Sequence, residues 1–124
     1  MKLELMNLKL TILQLKRYSR LPDWLSNSEF FSIIRTDDEL SIVCDISCIP
    51  NNTEFNELWI TIKVVGPLDI SMVGVLLNLS ETLAKEKISI FVISTYDTDY
   101  ILVQEKDQVK AINALRKHNE FING

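Results

Sequence analysis

The 124 residues hold 13 Lys and Arg against 17 Asp and Glu, giving a formal net charge of -4, a pI near 5.0 and 47% hydrophobic residues. That is ordinary usage for a single compact domain with a real core. It argues against a nucleic-acid or anionic-membrane surface, because phosphates attract clustered Lys and Arg and the longest basic runs are Lys16-Arg17 and Arg116-Lys117. No window approaches the ~18–20 uninterrupted apolar residues that span a bilayer. Glu4 and Lys9 interrupt Met1 to Leu15, the one stretch resembling a targeting signal, so a soluble, cytoplasmic protein is expected.

In chain order, Leu8, Leu10 and Ile12 alternate and Leu13 and Leu15 continue one residue out of phase, predicting a bulged strand from about Leu8 to Arg17. Leu21-Pro22-Asp23-Trp24-Leu25 reads as a turn or a single helical turn. Phe30 to Arg35 and Leu40 to Cys44 flank Thr36-Asp37-Asp38-Glu39, which predicts a hairpin. Ile49 to Glu54, punctuated by Pro50, Asn51 and Asn52, is the linker, and it divides the chain into 1–57 and 58–124.

Beyond it, Trp59, Ile60, Ile62, Val64 and Val65 form a β-rich run that stops at Gly66-Pro67. A helix follows to about Lys87, with Asp69 placed as its N-cap and two stripes: Met72, Leu76, Leu79 and Leu83, then Val73, Leu77 and Ala84. Ile88 to Ser94 and Asp99 to Gln104 are strands around Thr95-Tyr96-Asp97-Thr98. Val109, Ala111, Ile112, Ala114 and Leu115 predict a helix over about 106–117, and a short strand closes the chain near Glu120 to Ile122. The second half is therefore β-α-β-β-α-β, the ferredoxin-like order of an α+β fold. The first half has the same strands without a full first helix, as a degenerate copy of the unit would.

Little of this supports catalysis. Cys44 and Cys48 stand at C-x3-C spacing with His118 as the lone histidine, too few ligands for a closed zinc site; reduced thiols filling packing space are expected. Asp97 and Asp99 point to one side of a strand and could hold a metal or share acid and base work, or they could close a turn. Asp37-Asp38-Glu39 reads as a solvated turn. The three glycines are too scattered for a phosphate loop, and His118 at a helix end has no evident serine or cysteine partner. What remains is the helix start after Gly66-Pro67-Leu68-Asp69, whose free N–H groups attract anions, together with acidic groups in the Ser94 to Asp99 connection. An amino acid needs both kinds of group.

Two stretches, WITIKVVGPL from Trp59 to Leu68 and ISIFVISTYDTDYILV from Ile88 to Val103, resemble the ACT domains of small bacterial proteins with paired ACT-like lobes and of the related eukaryotic cytosolic arginine sensors. FFSIIRTDDELSIVCD, Phe30 to Asp45, is similar to their first lobe. The resemblance implies an ACT domain over 58–124 behind a degenerate ACT-like lobe, no enzymatic activity and no cofactor or metal. It implies a regulatory role through binding of a small molecule, an amino acid above all. Ligand contacts map to Asp69, Ile70, Ser71 and Met72, to Ser89 and Ile90, and to Thr95, Tyr96 and Asp99. A regulatory protein partner would meet Tyr96, Asp97 and Asp99. The sensors have four lobes where this chain has two, which leaves a second copy, in a homodimer, as the way to complete a pocket. The Tyr96 loop is accordingly expected to be a site, with Asp97 and Thr98 replaceable by Ala at little cost in stability.

Overall fold

The computed structural model describes residues 1–55, 57–66 and 74–123. They form two compact units: Leu8–Leu58, and Met1–Asn7 together with Trp59–Gly124. Compared with a division at 57/58, the first seven residues go with the later unit. One strand, β1 (Lys2–Leu15), runs through both. It starts six residues before the alternation predicts and continues through the phase shift, because Leu3 is as deeply buried as Leu10.

In the N-terminal unit β1 pairs antiparallel with β3 (Leu40–Asp45), and β3 with β2 (Phe31–Arg35), in the order β2-β3-β1. A short 3-10 helix over Asp23–Asn27 stands where the other unit has a full helix. Leu25, Leu40, Ile42 and Cys44 form the core, with Leu13, Leu15, Trp24 and Ile33 around it. The connection that starts after Pro22 is pinned by Ser28. Its hydroxyl donates to the Phe30 carbonyl at 2.6 Å and accepts from the Asp45 N–H at 2.9 Å.

The C-terminal unit contains β4 (Trp59–Val64), α1 (Val75–Lys85), β5 (Ile90–Ser94), β6 (Asp99–Gln104), α2 (Gln108–Arg116) and β7 (Glu120–Phe121). This is a mixed α+β, ferredoxin-type unit. Pairing is antiparallel across β4-β6-β5, in a register that aligns Ile60, Val103 and Ile90, then Ile62, Ile101 and Val92. Those residues share a face and pack with Leu79 and Leu83 of α1, Ala111 and Leu115 of α2, and Leu3. Each fully buried Val, Leu or Ile among them contributes about 1.5–3 kcal/mol. Trp59 meets Phe91 edge-on, with ring centroids 6.3 Å apart. Of the second predicted helical stripe, Val73 lies outside the described residues, and Leu77 (70% exposed) and Ala84 are not core, because the 3.6-residue period turns them away from Leu79 and Leu83.

Two differences from the predicted β-α-β-β-α-β unit concern its edges. The place beside β4 is taken by the start of β1, and β7 pairs in parallel with β1 through Lys2↔Glu120 and Leu3↔Phe121. Helix α1 begins at Val75, later than expected. Its N-cap is Gly74, whose φ of 86° lies in the left-handed region that a residue lacking Cβ adopts at little cost. Asp69, the expected cap, lies outside the described residues.

Candidate functional site

The β5–β6 hairpin carries most of the described candidate residues. Its tip is closed by local bonds that follow from having threonine at its first position: Thr95 N–H donates to the Thr98 carbonyl at 2.8 Å, and the Thr95 hydroxyl accepts from Thr98 N–H at 3.3 Å. The turn of the N-terminal unit is built likewise. Thr36 N–H donates to the Glu39 carbonyl at 2.9 Å, and the Thr36 hydroxyl accepts from the N–H groups of Asp38 and Glu39. Asp37, Asp38 and Glu39 are there the solvated turn expected, with Asp37 3.2 Å from the Arg17 guanidinium.

At the base of the C-terminal hairpin, Ser94 and Asp99 are register partners, and the Ser94 hydroxyl donates to the Asp99 carboxylate at 2.5 Å. Tyr96 is fully exposed and Asp97 is exposed beside it. Thr98 corrects the expectation for this loop. It is buried, and its hydroxyl donates to the Val64 carbonyl at 2.5 Å, fastening the tip to the end of β4. A polar side chain is buried here because it has that partner.

The same end of the unit gathers further elements. Val65 N–H donates to the Lys2 carbonyl at 2.9 Å, which brings the exit of β4 beside the start of β1. A cleft of about 270 Å³ opens at the start of α1, lined by Met1, Gly74, Val75, Asn78, Leu79, His118 and Asn119. A second, of about 260 Å³, runs between α1 and α2 past Glu81, Lys85, Lys117 and His118. Neither is lined by the hairpin tip. Ile70, Ser71 and Met72, like Asp69, lie outside the described residues; the strand that leads toward them ends beside Thr98.

Ser89 and Ile90 stand elsewhere. Ile90 begins β5 and Ser89 precedes it, at the opposite end of the strand from Thr95, up to about 20 Å away at the ~3.3 Å rise of an extended chain. Ser89 is exposed and Ile90 packs against the core. The C-terminal unit therefore brings Thr95, Tyr96 and Asp99 together and leaves Ser89 and Ile90 apart from them.

Other chemistry is sparse. Cys44 and Cys48 are free thiols; burial and the neighbouring Cys48 push Cys44 up to about 12, so it stays protonated and packs as a small apolar group. The Cys48 thiol donates to the Asp45 carbonyl. Among the described residues no group of three or more His, Cys, Asp and Glu is placed to hold a metal, and no helix is long and apolar enough to cross a membrane.

An ACT domain family matches residues 54–117, just over half of the chain. The chain belongs to the ACT domain family. ACT domains are as a class regulatory modules that bind small molecules and often oligomerise. A separate family of N-terminal domains, defined after a single protein, matches residues 9–52, close to the bounds of the N-terminal unit. A crystal structure of an Agobacterium tumefaciens protein is similar at 35% identity and a TM-score of 0.88, covering 98% of this chain and 91% of that one. A Vibrio cholerae protein of unknown function matches at 26% identity and a TM-score of 0.75, covering 91% and 85%. The aspartokinase α and β subunits share the fold at 18% identity and a TM-score of 0.63, covering 94% and 96%.

Proposed function

We propose that this ACT protein is a non-catalytic regulator that binds an amino acid at the end of the C-terminal unit where β4 exits and the β5–β6 hairpin turns. The observation that carries the reading is the Ser94–Asp99 pair on a tip locked by Thr95 and anchored through Thr98 to Val64. A fixed carboxylate is the group an ammonium or guanidinium requires, and charge-assisted hydrogen bonds to it are the strong ones. The start of α1 is near that end, has no side-chain cap among its described contacts and opens a cleft, which suits the ligand's carboxylate. Asp69, Ile70, Ser71 and Met72 would complete that side. Ser89 and Ile90, at the far end of β5, would serve a ligand held against a second copy, as in a homodimer with paired ACT lobes of the arginine-sensor kind.

A second reading has a specific observation in its favour. Tyr96 is 103% exposed, and an aromatic ring held in open solvent beside Asp97 and Asp99 suits recognition of a protein partner without any metabolite. Thermal denaturation with each of the twenty amino acids separates the two. A ligand that binds only the folded state raises the midpoint by mass action, whereas no shift with any amino acid at millimolar concentration would sink the first reading.

A further inference from the structure

The segment after α2 is held to the molecule by a short set of strand-like bonds. Glu120 N–H donates to the Met1 carbonyl and Ile122 N–H to the Leu3 carbonyl, both at 2.9 Å. Asn123 then imitates one more residue of strand with its side chain: its amide oxygen accepts from Leu5 N–H at 2.9 Å, and its amide nitrogen donates to the Leu5 carbonyl at 2.7 Å. Between them, Phe121 packs against the core under the Arg116 guanidinium, 5.5 Å from its ring centroid. Met1, Leu3 and Leu5 thus each have a hydrogen-bond partner in this segment, the first two from its backbone and the third from the Asn123 side chain, and one aromatic side chain fixes the register. This is the layout of strand addition, in which main-chain bonds supply attraction and alternate side chains supply choice.

The attachment is also small. The ladder has two residue pairs, fewer than ordinary strands, and short terminal elements of this kind open at low free-energy cost. Opening it bares the main-chain groups of Met1, Leu3 and Leu5 that it now engages as a sheet edge, which templates pairing with another chain. The occupant whose aromatic and asparagine match that edge is already known: the same segment of a second copy. Lys117 to Asn119, between α2 and β7, is the only hinge such an exchange requires.

We propose that residues 120–123 form an exchangeable strand, and that the β1 edge from Met1 to Leu5 is a docking groove for this segment of a second copy. Exchange of an identical element is a low-cost route to a dimer. Lys2 and Glu120 are exposed register partners, so a cysteine at each position reports the pairing directly. Full-length Lys2→Cys chain is mixed with full-length Glu120→Cys chain, treated with a short bis-maleimide, and the 2–120 cross-link is identified by peptide mass spectrometry, which sets aside products of Cys44 and Cys48. The expected result is an interchain 2–120 product whose share rises with protein concentration and falls at least fivefold when the Glu120→Cys chain also carries Phe121→Ala. The proposal is overturned by a mixture that yields no interchain product while the Lys2→Cys/Glu120→Cys double variant closes within one chain. An interchain product indifferent to Phe121→Ala, or no 2–120 product in either format, overturns it as well.

Discussion

Thr98 of the hairpin tip is tied to Val64 of β4 by a 2.5 Å hydrogen bond between a hydroxyl with 3% exposure and a main-chain carbonyl 34 residues earlier. The tip is in this way anchored to the fold at Thr98 and exposed at the two residues before it, Tyr96 and Asp97. Replacing Thr98 by Val keeps the shape and removes the donor, leaving a buried acceptor unmet at a cost of about 1–2 kcal/mol. The melting midpoint should fall by about 4–8 °C. Asp97→Ala, at an exposed position, should leave it within about 1 °C, and equal losses in the two variants would contradict this division of the loop.

A change at Asp99 tests the proposed ligand binding against turn closure. Asp99→Asn keeps an acceptor for the Ser94 hydroxyl but removes the charge, so amino-acid affinity should weaken by about 10- to 100-fold with little change in denaturation midpoint. Ser94→Ala leaves the charge and should cost less in affinity. Titration calorimetry beside denaturant melts of the three proteins decides. A clearly lowered midpoint with unchanged affinity in Asp99→Asn would assign Asp99 to the hairpin alone.

Cys44 gives the N-terminal unit a pH signature. The folded state holds its proton up to about 12, against an ordinary thiol value of 9.0. Above pH 9 the unfolded chain therefore binds fewer protons than the folded one, and stability falls as pH rises. The contribution is complete below pH 9 and disappears as pH passes through about 12. Urea melts from pH 7 to 10.5 should show a downward slope beginning near pH 9 that is shallower in Cys44→Ala, whatever the absolute stability of that variant. Parallel slopes would show that burial does not protect the thiol.

Ser28 fastens the chain entering β2 to the end of β3. Ser28→Ala removes both its bond to Phe30 and the acceptor for Asp45 N–H, at a cost of about 1–3 kcal/mol. Hydrogen exchange at Asp45 should accelerate by about tenfold or more, and unchanged exchange there would show that another acceptor takes the place of the Ser28 hydroxyl.

Most elements were legible because their periods are local properties of the chain. Alternating Ile60, Ile62 and Val64 mark β4, the apolar run Tyr100 to Val103 marks β6, Leu76, Leu79 and Leu83 mark the buried side of α1, and Thr36 and Thr95 mark the two tight turns. The start of α1 was not legible, because apolar spacing continues upstream of Gly74 as smoothly as within the helix. Nor did any local signal show that Thr98, among Asp97 and Asp99, is the loop residue that goes inward. That depends on the Val64 carbonyl standing where β4 ends.

The sequence by itself determined the α+β composition, the ferredoxin-like order of the second half and the identity of the hairpin residues, since each rests on contacts between near neighbours in the chain. Only the tertiary structure decided that β1 begins at Lys2 and fills the place beside β4, and that β7 and Asn123 cover its edge. These are pairings of residues up to 119 positions apart, selected by which main-chain groups lack a partner once the sheet has formed, and no pattern within a short window records them.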